Sequence, residues 1–268
     1  MNVNKLLFNV TVAAAVAAVT AVGTSYLVFG YAPLGTDGAP MSVDRARIEQ
    51  ITRDYLTKNP EILVEMTNAL DKRQAAEEET QQKKAISQNA DKIFRSPLSH
   101  VAGNPNGDVN LVEFFDYNCG YCRKAMPEVV KLINEDGKVR LVLKELPIFG
   151  DDSEAAARLA LASDKQGKYF EMHQKLFSEP GKAGKEKALG VAKELGLDVD
   201  QLQKDAEDPD IKKSLDQAKD LAQRLNLQGT PLFLISDQAI AGAPDDLSDQ
   251  LKAKVAEVRQ KGCAPSTC

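Results

Sequence analysis

One stretch constrains this chain more than any other. Val109-Asn110-Leu111-Val112-Glu113-Phe114-Phe115 runs almost uninterrupted as apolar sequence, and Cys119-Gly120-Tyr121-Cys122 follows after a short gap. A run of this kind suits a strand in the middle of a sheet, covered on both faces. Helical spacing takes over from about Cys119 to Glu135, with Pro127 set to kink the helix. Val139 to Leu146 then reads as a second strand. The pattern is a β-α-β unit, for which a right-handed crossover is expected.

The remainder of the chain fits around that unit. Residues 151–227 read as purely helical, with Gly167 and Gly196 as C-terminal stops and Asp208-Pro209 as an N-cap with proline at the first helical position. Strand pattern returns at Leu232 to Ile235, and Ala239 to Ala241 can pair with it across the turn at Ser236-Asp237-Gln238. A last amphipathic helix runs from about Pro244 to Lys261. The order of strand, helix, strand, helical block, two strands and helix predicts an α/β core with a helical insertion at about 151–227.

The N-terminal third is of a different kind. Leu6 to Ala32 carries no charge, and at about 1.5 Å per helical residue it is long enough to cross a hydrocarbon core of about 30 Å. It reads either as a signal peptide, with Ala21-Val22-Gly23 as the cleavage region, or as an uncleaved anchor. Either way Lys5 stays inside and the rest is exported. Pro33 to Pro40 is a linker. Ile48, Ile51 and Tyr55 share a helical face, Asn59-Pro60 restarts the helix as N-cap and first residue, and Ile62, Met66 and Leu70 continue the stripe. The helix runs on through the charged stretch Asp71 to Lys84 toward Phe94. So narrow a stripe cannot enclose a core, and residues 33–95 read as a linker followed by an oligomerisation arm. A solvated helix lying on its own domain is the simpler alternative. Ser96 to Asp108 reads as a Pro-, Gly- and Asn-bearing loop that opens the domain 96–268.

The chemistry centres on the cysteines. Four in 268 residues are too few for a disulfide scaffold. A C-x-x-C pair can be half a zinc site, a metal-chaperone loop, a haem attachment site or a redox pair. Arg123 in place of histidine after Cys122 excludes haem attachment. Zinc would need two more ligands, which only Cys263 and Cys268 could supply. The redox reading fits the setting best. At the junction of a buried strand and a helix, Cys119 meets free N–H groups and the positive end of the helix dipole, which favour a thiolate. Cys122, one turn on, points inward and can resolve a mixed disulfide. Glu113 is either a water-facing residue of an alternating strand or a buried proton acceptor for Cys122. Thr230-Pro231 is either a plain strand start or a cis proline placed against the cysteines. His173 reads as a packing residue, and no role follows for His100. Cys263 and Cys268 read as a terminal disulfide or as a pair shuttling electrons to Cys119. A net charge of -5 in mixed-sign stretches gives no footprint for nucleic acid.

Val112-Glu113-Phe114-Phe115, the Cys119–Cys122 motif, the helical insertion and Thr230-Pro231 together resemble the DsbA branch of the thioredoxin superfamily over residues 96 to 262. Within that branch the chain is similar to ScsC copper-sensitivity suppressors and to DsbG/BdbD-like proteins. Residues 43 to 94 resemble the ScsC N-terminal domain, on pattern alone. The resemblance implies a thioredoxin-like fold and a protein-disulfide oxidoreductase or isomerase, with Cys119 as nucleophile, Cys122 as resolving thiol, Glu113 as buried acid and Thr230-Pro231 as the cis-proline loop. It implies no cofactor beyond a redox-active Cys119–Cys122 disulfide and no metal. Gly120-Tyr121 departs from the Pro-His of strongly oxidising members, and an oligomerising arm at residues 43–94 accompanies isomerases and reductases. The expected partners are unfolded or misoxidised exported proteins, a membrane redox protein and further copies of the chain, in the periplasm, with a tether to the inner membrane where residues 6–32 are an anchor. The alternatives are a DsbA-type oxidase, a copper- or zinc-binding thiol module and a stalk that binds unfolded chains.

Overall fold

The computed structural model describes residues 44–264 and Thr267. The apolar segment 6–32 and the linker Pro33 to Pro40 lie outside the described residues. Among the described residues no helix is long and apolar enough to cross a membrane. The chain divides into two compact units, Met1–Ala69 and Leu70–Cys268.

In the first unit, Asp44 caps helix α1 (Arg45–Lys58) by accepting from the N–H groups of Ala46 and Arg47. No residue of α1 is buried: the expected stripe of Ile48, Ile51 and Tyr55 lies open to solvent. Asn59 ends α1 instead of capping the next helix, because its N–H and its Nδ2 both donate to the Tyr55 carbonyl, at 3.0 and 2.7 Å. Helix α2 (Glu61–Gln88) follows, and Leu63, Val64 and Met66 are exposed on it.

The second unit is built on a five-stranded mixed sheet in the order β1-β3-β2-β4-β5. These are β1 (His100–Gly103), β2 (Val109–Phe115), β3 (Val139–Glu145), β4 (Leu232–Ile235) and β5 (Gln238–Ala241). Strand β2 pairs parallel with β3 and antiparallel with β4, so it is central. All seven of its residues are buried, as the apolar run predicts. Leu111 and Phe115 face a core closed by α4 (Gly120–Asp136), by the insertion helices and by α10 (Leu247–Lys261). Val112 and Phe114 face a second core formed with Ile86 near the end of α2, α3 (Ala90–Phe94) and α9 (Pro209–Arg224). The insertion between β3 and β4 comprises α5 (Asp151–Ser163), a short 3-10 turn, α6 (Tyr169–Ser178), α7 (Lys185–Glu194), α8 (Val199–Asp205) and α9. Gly167 and Gly196 take left-handed φ values of 68° and 74° where helical segments end, and the Asp208 side chain accepts from the Asp210 N–H with Pro209 in the first helical turn.

Part of the expected loop 96–108 is the edge strand β1, antiparallel to β3. It is four residues long, too short to show an alternation in sequence. The loop after it passes tightly against β3. A Cβ on Gly107 would lie 2.5 Å from the Lys138 carbonyl oxygen and 2.6 Å from the Arg140 nitrogen. Both are backbone atoms, Arg140 in β3 and Lys138 just before it with its carbonyl bonded to the Asp108 N–H at 2.9 Å, so neither gives way readily. Gly107→Ala is therefore expected to destabilise the head by about 1–3 kcal/mol, read as a lower urea midpoint at unchanged slope.

Candidate active site

The site forms where β2 ends and α4 begins. Cys119 is the N-cap of α4, in extended conformation, with its Sγ accepting the Cys122 N–H at 3.3 Å. Its N–H donates to the Asp116 carbonyl at 3.0 Å. The Cys119 thiol donates to the Thr230 carbonyl at 3.2 Å, and the Thr230–Pro231 peptide is cis. The structure thus brings Cys119, Cys122 and Thr230-Pro231 together, with both thiols free. Tyr121, between the cysteines, is 64% exposed.

The two thiols differ electrically. Cys119 is drawn down to about 6, first by the hydrogen bond of the Cys122 thiol and then by Thr230 and the N–H groups of Cys122 and Tyr121, against the opposing effect of burial. Burial, followed by the bond to Cys119 and the charge of Glu113, pushes Cys122 well up. One thiol ionises near neutral pH while its neighbour keeps its proton. The buried Thr230 hydroxyl has no partner while the thiols are neutral, and it can donate to a sulfur once that sulfur ionises, which favours the anionic form.

Glu113 is 1% exposed, on the β2 face that carries Leu111 and Phe115. Its Oε2 has no hydrogen-bond partner. Burial first, and the charge of Cys119 second, push its carboxyl up to about 8. Of the two sequence readings, the water-facing one is excluded.

Three further features had no signal in the sequence reading. Asp116 is 1% exposed and accepts four hydrogen bonds: Asn118 N–H at 2.7 Å and Ser153 Oγ at 2.8 Å on Oδ1, and Ile148 and Phe149 N–H at 2.7 and 3.1 Å on Oδ2. Asn118 holds the insertion by exchanging bonds with both backbone groups of Ala183, at 2.7 and 2.8 Å. Glu145, also buried, accepts from the hydroxyls of Tyr117 and Tyr169, each at 2.8 Å. His173 sits beside them at 3.2 Å from the Tyr117 hydroxyl, lowered to about 3 by burial and enclosed by aromatic rings, as a packing residue should be. His100 stacks on Tyr169 and pairs with Asp164 at 2.9 Å.

Cys263 is disulfide-bonded; Cys268 lies outside the described residues. The next residue, Ala264, donates to Ser236 Oγ at the end of β4, and the Thr267 carbonyl accepts from Asn110 at the start of β2. The length of β2, about 20 Å at ~3.3 Å per residue, separates this end of the sheet from Cys119. A direct electron shuttle between Cys263 and Cys119 of one chain therefore has no geometric basis. Among the described residues, no group of three or more His, Cys, Asp and Glu side chains is arranged to hold a metal ion.

Residues 110–254, over half of the chain, match the DSBA-like thioredoxin domain. The chain belongs to the DsbA-like family. Residues 44–77 of this DsbA-like protein also match the N-terminal domain of the copper resistance protein ScsC. A thioredoxin-like oxidoreductase from Silicibacter pomeroyi DSS-3 is 46% identical, with TM-score 0.61 over 63% of this chain and 97% of that one. Proteus mirabilis ScsC in a transitional conformation is 29% identical, with TM-score 0.61 over 81% of this chain and 97% of that one. The probable disulfide bond formation protein D of Bacillus cereus is 29% identical over 54% of this chain and 73% of its own length. The Na(+)/H(+) antiporter NhaA 1 of Salinispora arenicola is 30% identical over 54% of this chain, which spans only 22% of the antiporter. As a family member with this cysteine pair, the protein is a thiol–disulfide oxidoreductase with a thioredoxin-like fold.

Glu113 makes folding pH-dependent in a defined direction. Its carboxyl is raised from 4.5 to about 8, so the folded chain binds more protons than the unfolded chain between these values. Its contribution is fully present below the unfolded value and is lost as pH rises through the folded one. Glu113→Gln removes this loss. The variant should match the parent near pH 4 and exceed its stability by up to about 3 kcal/mol at pH 7, measured by urea unfolding at the two pH values.

Proposed function

We propose that this protein is exported and reshuffles or reduces incorrect disulfides in other exported proteins, through Cys119 and Cys122. The observation that carries the reading is the split between a Cys119 held at about 6 and a Cys122 that keeps its proton. The Cys119 thiolate attacks a substrate disulfide, forms a mixed disulfide and releases one substrate thiolate. That thiolate can attack elsewhere in the substrate and finally displace Cys119, which is isomerisation with no net electron transfer. Alternatively Cys122 attacks the Cys119 sulfur, gives its proton to Glu113 in its carboxylate form and releases the second substrate sulfur as a thiolate. The substrate is then reduced, and Cys119–Cys122 is left as a disulfide for a membrane redox partner to reduce. Cys119→Ala should abolish both reactions, and Cys122→Ala should accumulate the mixed disulfide. Parent protein should reactivate scrambled ribonuclease faster than it oxidises the reduced enzyme, and Cys119 alkylation should rise through a midpoint at about pH 6. No activity on either ribonuclease would end the oxidoreductase reading for these residues.

Isomerase or reductase is preferred to oxidase on the acidity of Cys119. Oxidising strength grows with stabilisation of the thiolate, and about 6 lies nearer the thioredoxin thiol at about 7 than the strongly oxidising DsbA thiol at about 3.5. Gly120-Tyr121 also puts no imidazole between the cysteines. The second reading, an oxidase, is favoured by similarity to a protein named for disulfide bond formation. Tyr121, Ile148 and Phe149, all exposed, would give an unfolded chain an apolar surface beside Cys119.

The arm supports the choice. Its match to the ScsC N-terminal domain coincides with the exposed apolar residues Ile48, Ile51, Tyr55 and Met66. The occupant we assign to this stripe is the same stripe of further copies, which would turn several Cys119 sites toward one substrate. Residues 6–32 would serve as the export signal or anchor. Replacing Ile51 and Tyr55 by serine should convert the oligomer to a monomer in gel filtration, with reactivation of scrambled ribonuclease falling and Cys119 alkylation unchanged. A parent protein that is already monomeric would overturn the arm reading.

A further inference from the structure

We propose that Asp116 is a positioning residue that fixes the apolar loop Leu146–Gly150 against the reactive-cysteine turn, and so sets the affinity for polypeptides bearing a bulky apolar side chain beside the cysteine. This deepens the thiol–disulfide exchange reading and rests on it.

The four groups around the buried carboxylate are all donors, and they come from three different segments. Asn118 belongs to the turn leading into Cys119, Ser153 to the first turn of α5, and Ile148 and Phe149 to the loop after β3. Only an acceptor on both oxygens satisfies them. An amide at this position would keep one oxygen and aim an N–H pair at two of the donors. Apart from Asp116 the loop is held at its ends, by the buried Leu146, whose N–H bonds the Phe115 carbonyl at 2.8 Å, and by the Gly150 carbonyl, which accepts from the Glu154 N–H at 3.2 Å, while Ile148 and Phe149 between them expose 48% and 51% of their surface. Their side chains are held out toward solvent while their N–H groups turn inward to Asp116.

Cys119 does not depend on the same carboxylate. Its N–H bonds the Asp116 backbone carbonyl, its thiol bonds the Thr230 carbonyl, and the adjacent Asn118 side chain is anchored on Ala183. Loss of the carboxylate should therefore release the apolar loop and leave the thiol chemistry in place.

The test compares two disulfides with the full chain: a peptide disulfide with phenylalanine next to the cysteine, and 2-hydroxyethyl disulfide, which is too small to reach the loop. Asp116→Asn should raise KM for the peptide about tenfold, with kcat and the rate on the small disulfide changed less than about twofold. Ser153→Ala removes one donor and should move the same readout in the same sense by a smaller factor, which keeps the test valid if the first variant does not fold. In a chain carrying Ile148→Ser and Phe149→Ser, whose own peptide KM should rise, Asp116→Asn should add little further. Equal losses on both disulfides, or an Asp116→Asn effect that adds in full to the loop substitutions, would overturn the proposal. So would an unchanged peptide KM in the loop variant. A parent chain that exchanges neither disulfide would instead overturn the oxidoreductase reading beneath it.

Discussion

Complete burial of β2 is the constraint on which the site depends. A strand covered on both faces cannot place a polar side chain in water, so Glu113 is forced into the core beside the cysteine pair. The same burial fixes where the strand ends, and therefore where α4 begins. Cys119 becomes the N-cap, where N–H groups have no helical partner and a sulfur can take one. Burial of Cys122 on the first turn of α4 then raises that thiol and leaves it as a donor to Cys119. The acidity difference between two cysteines three positions apart is thus a consequence of sheet packing as much as of the motif.

The insertion does more than cover the sheet. It reaches the reactive turn through Asn118 to Ala183 and through the Arg123 guanidinium, which donates to the carbonyls of Phe177 and Glu179 near the C-terminus of α6. Such bonds hold a catalytic turn within tenths of an ångström only if the helices that carry them are themselves packed. The buried faces of α5, α6 and α7 provide this through Ala156, Ala160, Met172, Leu176 and Val191. Shape at the cysteines is maintained by residues that no thiol touches.

Much of this was legible from sequence, and the reason differs by element. β2 and β4 were readable because largely apolar runs of seven and four residues bounded by turn signals have few other homes, and β3 because Val139, Leu141, Val142 and Leu143 follow the turn after α4. The helix boundaries at Gly167, Gly196 and Asp208-Pro209 were readable because left-handed glycine and N-terminal proline are local requirements. The cysteine pair and Thr230-Pro231 stood out by residue type. Glu113 did not resolve, since a strand buried on both faces has no alternation to say which way a polar residue points. Asp116 was invisible for another reason: three of its four donors lie 32 to 37 positions away, in segments whose proximity exists only after the insertion folds back. Glu145 was read only as part of the second strand, and its two tyrosine donors are likewise remote in sequence.

The three buried carboxyls near the cysteines form a graded series that explains how a thiolate is sustained among acids. Asp116 accepts four hydrogen bonds, Glu145 accepts two on a single oxygen, and Glu113 leaves Oε2 with no partner. A buried charge is tolerated in proportion to the donors that surround it. Glu145 is accordingly pushed well up by burial despite its tyrosines, and Glu113 is pushed up to about 8. At neutral pH Glu113 therefore carries a proton, and the Cys119 thiolate meets no charge on the carboxyl beside it. The chain gives its donors to the carboxylate that holds the loop and withholds them from the carboxyl nearest the chemistry. In the exchange proposed above, consumption of the Cys119 thiolate in a mixed disulfide removes the repulsion that it imposes on Glu113, so Glu113 would shed its own proton more readily and reach the carboxylate form that can take the proton of Cys122. Under that proposal the partnerless oxygen of Glu113 would be the proton acceptor, its readiness set by the charge on the sulfur beside it.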